Sequence, residues 1–271
     1  MKIDIKILFI TLIFAISCNT KNNEKEVSKT IVEHNNKGLK LVAQLVEKVG
    51  SYKDLLNKND VIYTYTYTTP DGKADVSTEK YLFDGELSYG KYEKHERTLT
   101  NLVGTIEQGY DGAEFWLKNE GEIIRDSIAL NRVKFNRPTN FYWFTMMYKL
   151  KDPGTNYEYL GTERVDDITY DKVSLTYDAD ITKKEKNDEY ILYFNPDTHL
   201  IDLFYFSLPD WGINDPILKM TLAYEIVDGI YLTTVRESYG PNEQGEYLLN
   251  GRYTFKDIKF NNGFKGEDFR L

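Results

Sequence analysis

The chain reads as a mainly β (α+β) protein: a meandering antiparallel sheet of about ten strands or more, a number at which sheets curl or close into barrels, with one N-terminal helix and one apolar helix on the concave side. Three observations predict this. A two-residue period sets in at Val61 and holds through most of the remaining chain. The periodic runs are separated by hairpin signals such as Asp84-Gly85, Asp111-Gly112, Asn119-Glu120-Gly121 and Asp228-Gly229, which join antiparallel neighbours in order. One segment, Phe141 to Leu150, is apolar on nearly every side, and such a helix must be buried.

The alternation is clearest in Val61-Ile62-Tyr63-Thr64-Tyr65-Thr66-Tyr67-Thr68, which sets tyrosines on one face and threonines on the other before Pro70-Asp71-Gly72 turns the chain. Further strands are predicted near Ser77 to Phe83, Glu86 to Lys91, Gly104 to Tyr110, Glu114 to Lys118, Tyr157 to Arg164, Thr169 to Tyr177, Glu189 to Phe194, Leu200 to Ser207, Leu218 to Ile226, Ile230 to Ser238 and Glu246 to Phe260. Between Thr30 and Val49, the residues Leu41, Val42, Leu45, Val46 and Val49 recur at helical spacing and Gly50 supplies a stop, which predicts an amphipathic helix with an interruption near Gly38. The apolar segment follows Pro138-Thr139, ends at Asp152-Pro153-Gly154, and is expected to plug the concave side as core.

The N-terminus has the layout of a secretory signal: Lys2 and Lys6, the apolar run Ile7 to Ile16, then Ser17 and Cys18. That run is well short of the roughly 20 residues a helix needs to cross a bilayer. Ala15-Ile16-Ser17-Cys18 resembles the lipobox of bacterial lipoproteins, which implies that Cys18 becomes the acylated first residue and that the membrane is a partner. An ordinary signal peptide with an incidental cysteine is the alternative. Cys18 is the only cysteine, so residues beyond it carry no disulfide and no second thiol. Stable anchoring takes at least two acyl chains, so a multiply acylated cysteine is expected. The polar stretch Asn19 to Glu26 lacks apolar period and reads as a flexible tether. The expected layout is a signal peptide over 1–17, a tether over 18–29 and one β-rich domain over 30–271, located at the bacterial cell envelope.

With 34 basic and 43 acidic residues and a net charge of −9, the chain shows no basic stripe for phosphate neutralisation, and nucleic acid is not an expected partner. His34, His95 and His199 have no zinc-ligand spacing, and no metal or cofactor is expected. Glu93, His95 and Glu96 cluster, but Lys94 and Arg97 between and beside them suit a solvated strand. No nucleophile elbow, Walker loop or dinucleotide fingerprint occurs. The acidic pairs Asp166-Asp167 and Asp178 with Asp180 read as turn residues rather than calcium ligands. What stands out is the aromatic content, 22 Tyr, 14 Phe and 3 Trp, which suits sugar stacking, lipid contact or a wide half-buried β-surface. Met146-Met147 adds side chains that adapt to irregular apolar partners.

The order of these features, from the Tyr-Thr strand ending in Pro70-Asp71-Gly72-Lys73, through Tyr110-Asp111-Gly112 leading to Phe115-Trp116, to Leu150-Lys151-Asp152-Pro153-Gly154 and Tyr159-Leu160-Gly161, resembles a family of Bacteroidota lipoproteins of unknown function. That family is in turn similar to the LolA/LolB-like carriers and receptors of lipoproteins. The resemblance spans residues 30 to 260 and implies an incomplete antiparallel barrel whose greasy concave face, closed by helices, shelters acyl chains. The expected function is therefore that of an outer-membrane lipoprotein, facing the periplasm or the cell surface, that binds a lipid or other apolar ligand without chemistry. Candidate lining residues are Trp116, Phe141, Trp143, Phe144, Met146 and Met147. The alternatives are an envelope hydrolase or glycan-binding protein using carboxylates and tyrosines, and a structural lipoprotein with a filled core.

Overall fold

The computed structural model describes residues 37–271. Cys18, the signal segment, the tether and His34 lie outside the described residues. Residues 37–49 form helix α1, followed by the short α2 (Tyr52–Leu56). Strands β1 (Asp60–Thr68), β2 (Ala74–Leu82), β3 (Leu87–His95), β4 (Ile106–Tyr110), β5 (Phe115–Asn119) and β6 (Glu122–Ile123) come next. Then the long helix α3 (Ser127–Lys149) leads to β7 (Thr155–Val165), β8 (Ile168–Tyr177), the one-turn α4 (Ala179–Thr182) and β9 (Tyr190–Phe194). Strands β10 (Ile201–Leu208), β11 (Ile213–Val227), β12 (Ile230–Pro241) and β13 (Tyr247–Phe260) complete the sheet.

The thirteen strands make one antiparallel sheet in the order β6-β5-β4-β3-β2-β1-β13-β12-β11-β10-β9-β8-β7. Each half is a meander, as the hairpin signals predicted, and the halves join where β1 pairs β13. The sheet does not close: β6 and β7 are its edges, and α3 is the stretch of chain that connects one edge to the other. Laid flat, thirteen strands would put those edges roughly 58 Å apart, whereas a 23-residue helix covers roughly 35 Å. The links on either side of α3 are short and the second is turned. The sheet therefore curls around α3.

All twelve predicted strands are present. The thirteenth, β6, is only two residues long, too short to leave a periodic signature. In β1, Val61, Tyr63 and Tyr65 face the interior while Ile62, Thr64 and Thr66 point outward. Helix α1 presents Val42, Leu45 and Val49 to the core. Gly38 is helical, the stretch before residue 37 lies outside the described residues, and the bare Cα of Gly38 lets α1 approach β7 and β8, where an added Cβ would meet a Val173 methyl at 3.4 Å.

The apolar helix lies in the concave face as predicted, but it begins at Ser127 rather than after Pro138. Asp126 caps it, accepting a hydrogen bond from the Ala129 N–H at 2.8 Å. Its first half is held by a small cluster of Ala129 and Val133 against Tyr92, Ile106 and Leu117. Pro138 is tolerated mid-helix because it is exposed, as is Lys134, so water can satisfy the carbonyl that loses its donor. The second half carries the aromatic core. The Phe144 ring stacks on Tyr63 at 5.0 Å between centroids and meets Tyr81, Phe83 and Phe255, which ties together β1, β2 and β13. Its neighbour Trp143 stacks on Phe204 at 5.6 Å and meets Phe206 and Tyr190, which ties in β9 and β10.

Below this layer runs a polar stripe. Alternation on β2 turns Asp75, Ser77, Glu79 and Tyr81 inward. Glu79 forms a fully buried pair with Arg137 of α3, with Nη1 to Oε2 at 2.8 Å and Nη2 to Oε1 at 3.2 Å. Ser77 Oγ donates to Glu79 at 2.8 Å, and Arg137 also donates to the Tyr92 hydroxyl at 3.1 Å. Burial opposes the charge on Arg137, but the adjacent carboxylate more than offsets it and holds the guanidinium above its ordinary value. Gly90 makes room for the pair, since a Cβ there would fall 2.6 Å from Arg137 Nη1. Removing one partner strands the other as a buried charge. Arg137→Met alone should cost about 3–5 kcal/mol in denaturant unfolding, and adding Glu79→Leu should recover most of it; an Arg137→Met variant as stable as the parent would show that the pair does not anchor α3.

Candidate functional site

Helix α3 does not fill the hollow it lies in. Two cavities of about 320 Å³ each open along it, at the lower end of the range for small-ligand sites. They share a wall made of Phe135, Thr139 and Trp143 from the helix and Leu208 from β10. The first lies between α3 and the centre of the sheet. Tyr65, Phe206, Met220 and Tyr253 supply its apolar wall, and Trp211 stands at the rim with 57% of its surface exposed. The second lies towards β8 and β9, bounded by Phe141, Tyr142, Tyr177 and Tyr190.

These walls follow from helical and strand spacing. On α3, Arg132, Asn136, Thr139, Asn140 and Trp143 fall on one face and border the first cavity. On β12, Arg236 and Ser238 continue the inward register of Ile230 and Leu232 and reach the same space. Arg236 is 4% exposed. Its Nη1 donates to the Trp143 carbonyl at 2.7 Å, and the guanidinium lies over the Trp143, Tyr253 and Phe255 rings. Burial holds its pKa below the usual arginine value. In the second cavity the Tyr142 and Tyr177 hydroxyls are hydrogen-bonded to each other. Glu86, Asp188 and Asp210 also border that space, and burial, reinforced by the charge of Asp210, raises the Asp188 carboxyl.

The six residues expected from sequence to line a ligand site separate into three groups. Trp143 and Phe141 border the cavities. Phe144, Met146 and Met147 are buried in the main core cluster and border neither of these two. Trp116 is the correction: it points away from α3, while its neighbour Leu117 packs on the helix. Its indole Nε1 donates to the Phe269 carbonyl at 2.7 Å, so the ring is covered by the C-terminal segment on the outer side of the sheet, in the space left by Gly109. Strand parity decides this, because adjacent side chains take opposite faces. Sequence reading passed over Arg236, although its signal was present: a charge in register with Ile230 and Leu232 on an otherwise inward-facing row.

Other candidate groups have structural work. Both ring nitrogens of His95 face backbone carbonyls, Nδ1 towards Thr98 at 3.0 Å and Nε2 towards Gly104 at 2.8 Å. Asp166 occupies a left-handed turn position with φ 52°, and Asp178 caps α4 by accepting from the Asp180 N–H at 2.9 Å. Among the described residues no group of three His, Cys, Asp or Glu side chains is arranged to hold a metal ion.

Residues 114–213 match the model of DUF6503, a family of unknown function. No curated protein matches the chain. Among solved structures, the fold is similar to a DUF1329 family protein from Desulfovibrio piger, with a TM-score of 0.50 and 14% identity over 88% of this chain and 97% of that one. It is also similar to a domain from Vibrio parahaemolyticus assigned as an outer membrane lipoprotein-sorting protein, with a TM-score of 0.51 and 12% identity over 87% and 97%. A LolA superfamily protein from Nitrosomonas europaea aligns over 82% of this chain and 98% of that one, with 15% identity and a TM-score of 0.46. The protein thus has an open antiparallel half-barrel similar to that of these structures, and at these identities the likeness is one of fold.

The raised Asp188 carboxyl has a pH signature. Its folded-state value lies above its unfolded one, so protonation favours the fold, and stability is lost as pH rises through the interval between them. Asp188→Asn should remove that loss, becoming more stable than the parent above the interval and not below it. Urea midpoints measured across a pH series check this; parallel curves for the two proteins would contradict it.

Proposed function

We propose that this protein is an envelope lipoprotein, acylated on Cys18, that takes up a lipid or other apolar ligand in the half-barrel beside α3. The observation that carries the reading is that the helix occupying the concave face leaves two aromatic-walled cavities along its length instead of sealing against the sheet. A lipoprotein with a filled core has no use for that arrangement. The likeness in fold to a lipoprotein-sorting domain adds support. A hydrolase would draw on Glu86, Asp188 and Asp210 at the second cavity, which Tyr142, Tyr177 and Tyr190 crowd.

The three tryptophans make the reading testable without labels, because Trp143 and Trp211 border the first cavity while Trp116 is covered on the outer face. A brominated acyl chain, which quenches indole fluorescence only at contact range, should quench the protein saturably. A Trp143→Phe, Trp211→Phe variant, left with Trp116 alone, should not respond. Quenching confined to Trp116, or no saturation, would contradict ligand uptake here. Acylation has its own check: cells grown with labelled palmitate should incorporate label into the parent chain and not into Cys18→Ser, and equal incorporation would rule out Cys18 as the anchor.

A further inference from the structure

Among the described residues two arginines are buried, and only one has a counter-ion there. Arg137 is matched by Glu79. Arg236 has no carboxylate partner among the described residues, and its Nε, like that of Arg137, makes no hydrogen bond there. The single bond it does make, to the Trp143 carbonyl, leaves the positive charge uncompensated amid three aromatic rings. A guanidinium stays protonated under these conditions, and an isolated buried charge is among the most costly arrangements in a protein interior unless something pairs with it. The one direction left open to Arg236 is the first cavity, which it borders.

The rest of that cavity has the same sign. Arg97 and Arg132 also border it, against a single carboxylate, Asp75. Asp75 Oδ1 is already engaged by the backbone N–H groups of Arg97 and Thr98 at 2.8 and 3.4 Å. Hydroxyl groups border the same space: Ser238, which donates to the Gly251 carbonyl at 3.4 Å and lies 3.3 Å from the Tyr253 hydroxyl, and Tyr65, which is buried there. The remaining wall combines the apolar Trp143, Phe206, Leu208, Leu218 and Met220 with the neutral polar Asn136, Thr139, Asn140 and Asn250.

Resting on the lipid-binding reading above, we infer that the first cavity binds an amphiphile head-first, its anionic group, a carboxylate or a phosphate, paired with Arg236 and its apolar chain lying along Trp143 and Phe206. A volume of about 320 Å³ suits one chain rather than two. Charge-assisted bonds to a group already desolvated set the specificity, since a ligand without the anion leaves Arg236 as it was. Arg97 and Arg132, nearer solvent, draw the anion towards the opening.

The test uses the purified full chain and displacement of a fluorescent fatty acid by dodecanoate, dodecyl phosphate, dodecanol, dodecyltrimethylammonium and inorganic phosphate. Both anionic chains should bind about 10- to 100-fold more tightly than the alcohol, and the cation should bind least. Arg236→Met, which places a flexible apolar chain among the same rings, should erase that preference, so that acid and alcohol bind with equal affinity. It should melt no lower than the parent, because no ion pair is lost. Equal affinity for alcohol and acid, or an unchanged preference in Arg236→Met, overturns the assignment to Arg236 and leaves lipid binding standing. Displacement by inorganic phosphate as effective as that by dodecyl phosphate overturns the amphiphile in favour of a free anion. Binding of none of the chains, in a protein that still melts cooperatively, overturns the lipid-binding reading itself.

Discussion

The constraint on which the structure depends is topological. A thirteen-strand antiparallel sheet built as two meanders ends with its two edge strands consecutive in the chain, and one connection must carry the backbone from the first edge to the second. That connection is α3. Because it crosses the hollow of the sheet, it is the core element, the roof of the cavities and the tie between the edges at once. Its sequence reflects those demands in turn: Ala129 and Val133 pack on the small β3 to β5 cluster, Arg137 reaches across to β2, and Phe141 to Tyr148 fill the centre.

A helix that spans rather than plugs cannot match the sheet everywhere. Phe144 is fitted on all sides by rings from three strands, whereas Trp143, one residue earlier and about 100° round the helix, packs on one side and borders empty space on the other. The polar interior divides along the same line. Glu79 and Arg137 sit where helix and sheet touch and neutralise each other, while Arg236 reaches the helix only at the Trp143 carbonyl, on the border of the first cavity. The cavities and the unmatched cation therefore have one geometric origin.

Much of this was legible beforehand. Period-two alternation and turn dipeptides located twelve strands, and the all-round apolarity of Phe141 to Leu150 placed that segment in the concave face. The first half of α3 was not legible, because Ser127 to Arg137 mixes polar and apolar residues and Pro138 suggests a boundary. Only tertiary contacts on either side of an exposed proline carry the helix through. Within the site, apolar character alone does not give the face: parity on β5 sends Trp116 outward beneath Phe269, and Leu117 faces α3. The converse holds for Arg236, whose charge suggested surface while its register with Ile230 and Leu232 already placed it inside.

The pairing of β1 with β13 matters for how the molecule is made. Val61 lies opposite Phe260, so the central seam of the sheet joins residues from nearly opposite ends of the described chain. The C-terminal segment seals that seam, with Asp60 accepting from the backbone N–H groups of Asn262, Gly263 and Phe264. Closing so long a loop costs entropy that only the finished interface returns. Each meander can begin to form as local hairpins, but the hollow has no floor until the final strand arrives. Until the residues from Tyr247 onward dock on β1 and β12, the two meanders stay unjoined and the hollow stays open, whichever hairpins have already formed.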